Sequence, residues 1–95
     1  MANQIPNYSN ILYRVCTVVA AVAKRGVDQV MPTDDLGGSF LRIGAALIPK
    51  LAARLEKEFK KDVPSFKLPP TALDNAQKVS DLADIISHLL QLQTT

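Results

Sequence analysis

The chain has no tryptophan, one cysteine, one histidine and five other aromatic residues in 95 positions. A single cysteine, Cys16, excludes an internal disulfide and fits a reducing compartment. One histidine and one cysteine do not make a metal-ligand set of the usual spacing. No apolar run approaches the ~20 residues needed to cross a bilayer. A secretory leader is not read at the N-terminus, because no cation precedes the first apolar stretch and Arg14 interrupts it. Arg14, Lys24 and Arg25, with no acid before Asp28, give a faint mitochondrial-import pattern, but the same residues suit a core helix. Nowhere does hydropathy alternate with the period of two that marks a half-buried strand. No internal repeat or low-complexity tract is present. These absences leave a soluble, cytoplasmic, all-α chain with an aliphatic core.

Apolar residues make up 47% and charged residues 21%, the balance of a globular chain rather than a disordered one. The length allows one core, read here as a single domain over residues 9–92, with 1–8 and 93–95 as flexible tails. The net charge of +2 is too small to mark a nucleic-acid binder.

Ile11, Leu12, Val15, Cys16, Val18, Val19, Val22 and Ala23 recur every three or four residues and predict a first helix with one buried face. Ser9 or Asn10 is expected to cap its start, Lys24 and Arg25 suit its last turn, and Gly26 is expected to take the left-handed C′ position. Cys16 lies in the apolar stripe and reads as a small buried hydrophobe rather than a reactive thiol. Residues 27–38 lose this period and collect turn formers, with Val27, Val30, Met31 and Leu36 expected to pin the loop to the core.

Phe40, Ile43, Leu47, Leu51, Leu55 and Phe59 predict a second helical stripe running to about Lys61. Pro49 interrupts it, so either a kink is expected or a break that puts Pro49 in the first turn of a new segment. Arg42, Lys50, Arg54, Lys57, Lys60 and Lys61 lie beside this stripe against only Glu56 and Glu58. That face reads as a solvated surface or as a docking surface for an acidic partner. Residues 62–70 are a proline-stiffened connector. Thr71-Ala72-Leu73-Asp74 resembles a capping box, after which Leu73, Ala76, Val79, Leu82, Ala83, Ile86, Leu89 and Leu90 continue a helical face to about Gln91. A short helix ending near Ala76 and a second beginning near Ser80 is the alternative. Leu90 and Leu92 are expected as spare apolar surface that a dimer could bury.

Little of this is catalytic. His88 falls with Asp81, Asp84 and Gln91 on the polar side of the last helix, as a surface histidine would. Asp34 and Asp35 are adjacent loop carboxylates suited to turn and cap roles, not two groups held in different environments. Nothing around Ser39 forms a nucleophile elbow. The chain is read as non-enzymatic. The Gly37-Gly38-Ser39 turn does place a hydroxyl where the second helix is expected to open, and a helix N-terminus favours a phosphate. Serine is equally an ordinary N-cap.

Glu58-Phe59, then Val63-Pro64, then Val79-Ser80-Asp81-Leu82-Ala83-Asp84-Ile85-Ile86 follow one another as they do in the second half of an acyl carrier protein. The first half agrees in outline: a helix ending at Gly26, a long loop with Val30-x-Pro32, then Asp35-Leu36-Gly37. The chain thus resembles the acyl carrier protein family over roughly residues 11–90. The resemblance implies a small four-helix bundle with a short third helix between Ser65 and Ala76. It also implies 4′-phosphopantetheine on the serine of an Asp-Ser-Leu motif, and partner enzymes docking on an acidic second helix.

This sequence departs from both features. Read forward from Asp35-Leu36-Gly37, Gly38-Ser39-Phe40 takes the motif's place. Read backward from Phe59, the family spacing lands on Gly44-Ala45-Ala46, which has no hydroxyl. Either Ser39 carries the group or the attachment serine is lost. The second helix is basic, so the partner enzymes of ordinary carriers, which use positive patches, would be repelled. Three readings follow. The first is a carrier-like module without a prosthetic group, acting through docking at Arg42, Lys50, Arg54, Lys57 and Lys61 or through binding of an acyl chain. The second is a specialised carrier holding an acyl thioester on Ser39-linked 4′-phosphopantetheine for a lipid or polyketide-type pathway. The third and weakest is a small basic module for nucleic acid, which lacks a recognition-helix pattern.

Overall fold

The computed structural model describes residues 7–38 and 41–94, leaving aside the side chains of Ala45 and Thr94. Three α-helices make up its regular structure: α1 (Tyr8–Ala23), α2 (Ile48–Phe59) and α3 (Val79–Thr94). Short 3-10 turns occupy Val27–Gln29, Ala45–Leu47 and Pro70–Leu73. Among the described residues there is no strand, only an isolated bridge between Asp35 and Lys78. Helix α1 packs against both α2 and α3, and the turn Pro70–Leu73 also packs against α2 and α3.

The periodic stripe of α1 forms its buried face, with Ile11, Val15, Cys16, Val19 and Val22 in the core. Its caps differ from the sequence expectation. Asn7, rather than Ser9 or Asn10, caps the start: its Oδ1 accepts the Asn10 N–H at 2.8 Å. At the end Lys24, not Gly26, takes the left-handed conformation, with φ 59°, while Gly26 is extended. The Arg25 N–H reaches the Ala20 carbonyl at 2.8 Å and the Lys24 N–H the Ala21 carbonyl at 3.4 Å, the bond pair of a Schellman motif.

Of the loop residues expected to anchor, Val30 and Leu36 are buried, whereas Val27 and Met31 are exposed. The loop is tied instead by backbone. Carbonyls of Asp34 and Pro32 accept the first N–H groups of α3, from Val79 at 3.1 Å and Ser80 at 2.9 Å, while Leu36 N–H donates to Gln77. The Asp81 carboxylate accepts the N–H groups of Gln77 and Lys78, which holds its pKa below the ordinary value. Donors at the start of α3 are therefore occupied from within the chain.

The second helix breaks rather than kinks. Residues 41–44 are not helical, Arg42 has φ 54°, and α2 begins at Ile48 with Pro49 in its first turn, where a missing N–H costs nothing. Leu41 and Ile43 still reach the core, but from a loop. The last helical stripe also divides. Residues 70–73 form a 3-10 turn with no side-chain cap, so the expected capping box at Thr71 does not form, and α3 starts at Val79. Leu90 is fully buried, which removes it from any spare apolar face; Leu92 is exposed. The connector adds core that periodicity did not announce: Val63, Phe66 and Leu68 are buried, and the Phe66 ring meets Phe59 edge-on at 6.1 Å.

Candidate functional site

Ser39, to which the resemblance assigns the prosthetic group, lies outside the described residues, as does Phe40. The helical stretch that leads into α2 opens at Gly44-Ala45-Ala46-Leu47, and none of these residues carries a hydroxyl. That opening turn offers no oxygen for a phosphodiester, so it does not fit 4′-phosphopantetheine.

Of the basic residues expected to share one face, Lys50, Arg54 and Lys57 lie on the solvent side of α2, opposite Leu51, Leu55 and Phe59, and Lys61 follows just past its end. Arg42 does not belong to this face, because it sits in the non-helical segment before α2. The two glutamates of α2 reach partners off the helix as well as on it. Glu56 accepts the Leu68 backbone N–H at 2.7 Å, and this bond, with help from Lys60, lowers its pKa from the usual 4.5. Glu58 is held by Arg14 at 2.8 Å and by Lys61 at 3.3 Å. Lys60 pairs with Glu56 at 3.4 Å. What remains unneutralised along α2 is Lys50, Arg54 and Lys57. Between this ridge and α1 runs a shallow groove of about 430 Å³, with Val18 and Ala21 on one wall and Arg54 and Lys57 on the other.

Sequence reasoning missed a second feature. A cleft of about 710 Å³ opens where residues 35–38, residues 43–44, the start of α2 and residues 70–77 meet. Leu36, Ile43 and Leu73 form its buried floor, with Ile48 and Ala76 half-buried beside them. Asp35 and Asp74 line it, and no Lys, Arg or His does. Four separate stretches of chain build this cleft, so no local pattern could announce it.

The remaining candidates stay apart. His88 is exposed on α3. Cys16 is 7% exposed, and burial, with the charge of Asp34, pushes its thiol pKa up, as an inert core cysteine requires. Asp34 serves its turn, accepting the Met31 N–H at 2.8 Å. Among the described residues no group of His, Cys, Asp or Glu could hold a metal ion, and no helix is long and apolar enough to cross a membrane. The chain matches no protein-family model, no curated protein and no solved structure.

Proposed function

We propose that this chain is a non-enzymatic, acyl-carrier-like module that has lost its prosthetic-group serine and works by docking an acidic protein surface onto α2. The carrying observation is the exposed ridge of Lys50, Arg54 and Lys57, which make no ion pair among the described residues, while Glu56 pairs with Lys60 and Glu58 with Arg14 and Lys61. The glutamates brace the fold and the ridge stands uncompensated, the arrangement that steers an acidic partner.

The order of elements supports the carrier resemblance: a long first helix, a long loop, α2, a short turn at Pro70–Leu73, and α3. In this reading the turn is the reduced counterpart of the third helix of a four-helix carrier. The 3-10 turn Ala45–Leu47 that leads into α2 falls at the register counted back from Phe59, where no hydroxyl stands, which favours loss of the attachment serine. The module belongs in a reducing cytoplasm, where Cys16 stays a thiol.

Two measurements test this. Co-expression with a promiscuous phosphopantetheinyl transferase is expected to leave the intact mass unchanged; a gain of one phosphopantetheine that vanishes in Ser39→Ala would establish the carrier reading instead. An amphipathic peptide with glutamates at i, i+4 and i+7 is expected to shift the amide resonances of Lys50, Arg54 and Lys57. Charge reversal at these three positions should abolish that binding. Salt-dependent binding to nucleic acid tighter than to the peptide would overturn the proposal.

A further inference from the structure

We infer that the 710 Å³ cleft is a binding site for a cationic amphiphile, an alkyl chain ending in a protonated amine or quaternary ammonium. The inference is independent of the docking ridge. The volume lies within the ~300–1,000 Å³ of small-molecule sites, and an apolar floor with a few polar groups at the rim is their usual make-up. Leu36, Ile43 and Leu73 supply that floor, and the half-buried Ile48 and Ala76 would lose their remaining water to an alkyl chain.

The rim selects the head group. Asp35 and Asp74 are the charged side chains that line the cleft, and neither makes an ion pair within the described structure. Arg42, Lys50 and Lys78, each next in sequence to a lining residue, do not line it. One term opposes the carboxylates. The start of α2 borders the cleft, and its dipole amounts to roughly half a positive charge. Two full negative charges outweigh it, and Pro49 removes one of the N–H groups that an anion would use. A fatty carboxylate or a phosphate entering here meets like charge, whereas an ammonium meets two carboxylates at the rim of an open, apolar-floored cleft.

The test uses the full chain and three probes of equal length below their micelle concentrations: dodecylamine, dodecanol and dodecanoate. Dodecylamine is expected to shift the amide resonances of Leu36, Ile43, Leu73 and Ala76 and to saturate. It should bind about tenfold more tightly than dodecanoate at those resonances, since each rim charge contributes a few-fold. Asp35→Asn with Asp74→Asn should weaken the amine about five- to tenfold and leave dodecanol unchanged. The three-probe series on the unaltered chain decides the question even if the double variant folds poorly. Dodecanoate equal to the amine at these residues, shifts confined to other surfaces, or an amine affinity indifferent to both substitutions would each overturn the inference.

Discussion

Arg14 grips Asp62 with both arms of its guanidinium, Nη1 to Oδ2 at 3.0 Å and Nη2 to Oδ1 at 3.1 Å, across 48 positions of sequence. The same side chain bonds Glu58 through Nε, reaches the Glu58 carbonyl at 2.8 Å, and lies 4.5 Å from the centroid of the Phe59 ring. Burial opposes its charge, but the bonds to Asp62 and Glu58 prevail and its pKa is raised. One residue of α1 thus fastens the C-terminal end of α2 and the turn that follows it. A lysine keeps the charge but not the fork. Arg14→Lys should cost about 1–2 kcal/mol and Arg14→Ala about 2–3 kcal/mol, because the second leaves the partly buried Asp62 without its ion pair and Glu58 with Lys61 alone. Thermal unfolding is the measurement, with a drop of roughly 4–8 °C per kcal/mol in a domain of this size.

Tyr8 donates its phenol to Asp84 at 2.7 Å and so joins the start of α1 to α3. That bond, reinforced by burial and by the charges of Asp84 and Asp81, pushes the Tyr8 pKa up from 10.0 to about 12. The bond needs the neutral phenol. Its stabilisation is therefore fully present below the unfolded value near 10 and is lost as pH rises toward 12. Tyr8 is 43% exposed, so solvent screening keeps the effect small. In Tyr13→Phe, which leaves Tyr8 as the only tyrosine, ultraviolet titration should show a midpoint near 12, and adding Asp84→Asn should bring it back toward 10.

The cap of α1 marks how far local sequence carries. The stripes of α1 and α3 were legible because one face of a helix repeats at 3.6 residues, and the buried set follows it. The basic ridge was legible for the same reason. Residues 41–47 were not: Ile43 and Leu47 are spaced like a helix, yet Leu41 and Ile43 reach the core from a segment with a left-handed Arg42. Burial decided their chemistry, and tertiary contacts decided their backbone. The buried Phe66 lies in an aperiodic connector, and the Arg14 clamp depends on partners distant in sequence, which no local period encodes. At the helix end, glycine chemistry pointed to Gly26, but the chain turns two residues earlier, at Lys24.

That displacement has a measurable consequence. A lysine in the left-handed region bears a Cβ penalty that glycine does not. Lys24→Gly should stabilise the protein by about 0.5–1 kcal/mol, because the turn at the end of α1 requires φ 59° there. Gly26→Ala should incur no left-handed penalty, since Gly26 has φ −73°, and its new methyl need only displace the Asp28 carboxylate. Urea unfolding of the two variants locates the cap. A loss in Lys24→Gly with a large loss in Gly26→Ala would move it to Gly26.

Glu56 links stability to the ridge, and its two roles separate by substitution. Its carboxylate accepts the N–H of the buried Leu68, which anchors the connector to α2, and pairs with Lys60. A carboxyl whose folded pKa is depressed contributes stability above its unfolded value, and that contribution is lost as pH falls through the folded one. Part of the acid limb of the stability curve, from about pH 4.5 downward, therefore belongs to Glu56. Glu56→Gln keeps an acceptor for Leu68 and should flatten that limb at modest cost. Glu56→Ala leaves the N–H unpaired and should cost about 1–2 kcal/mol at neutral pH. Both variants remove one negative charge beside Lys57 and Lys60, so both should bind the acidic peptide about two- to threefold more tightly at low salt. Stability measured against pH and affinity measured against salt then report different atoms of the same residue. An affinity that fell together with stability would mean that the peptide reads the connector and not the ridge.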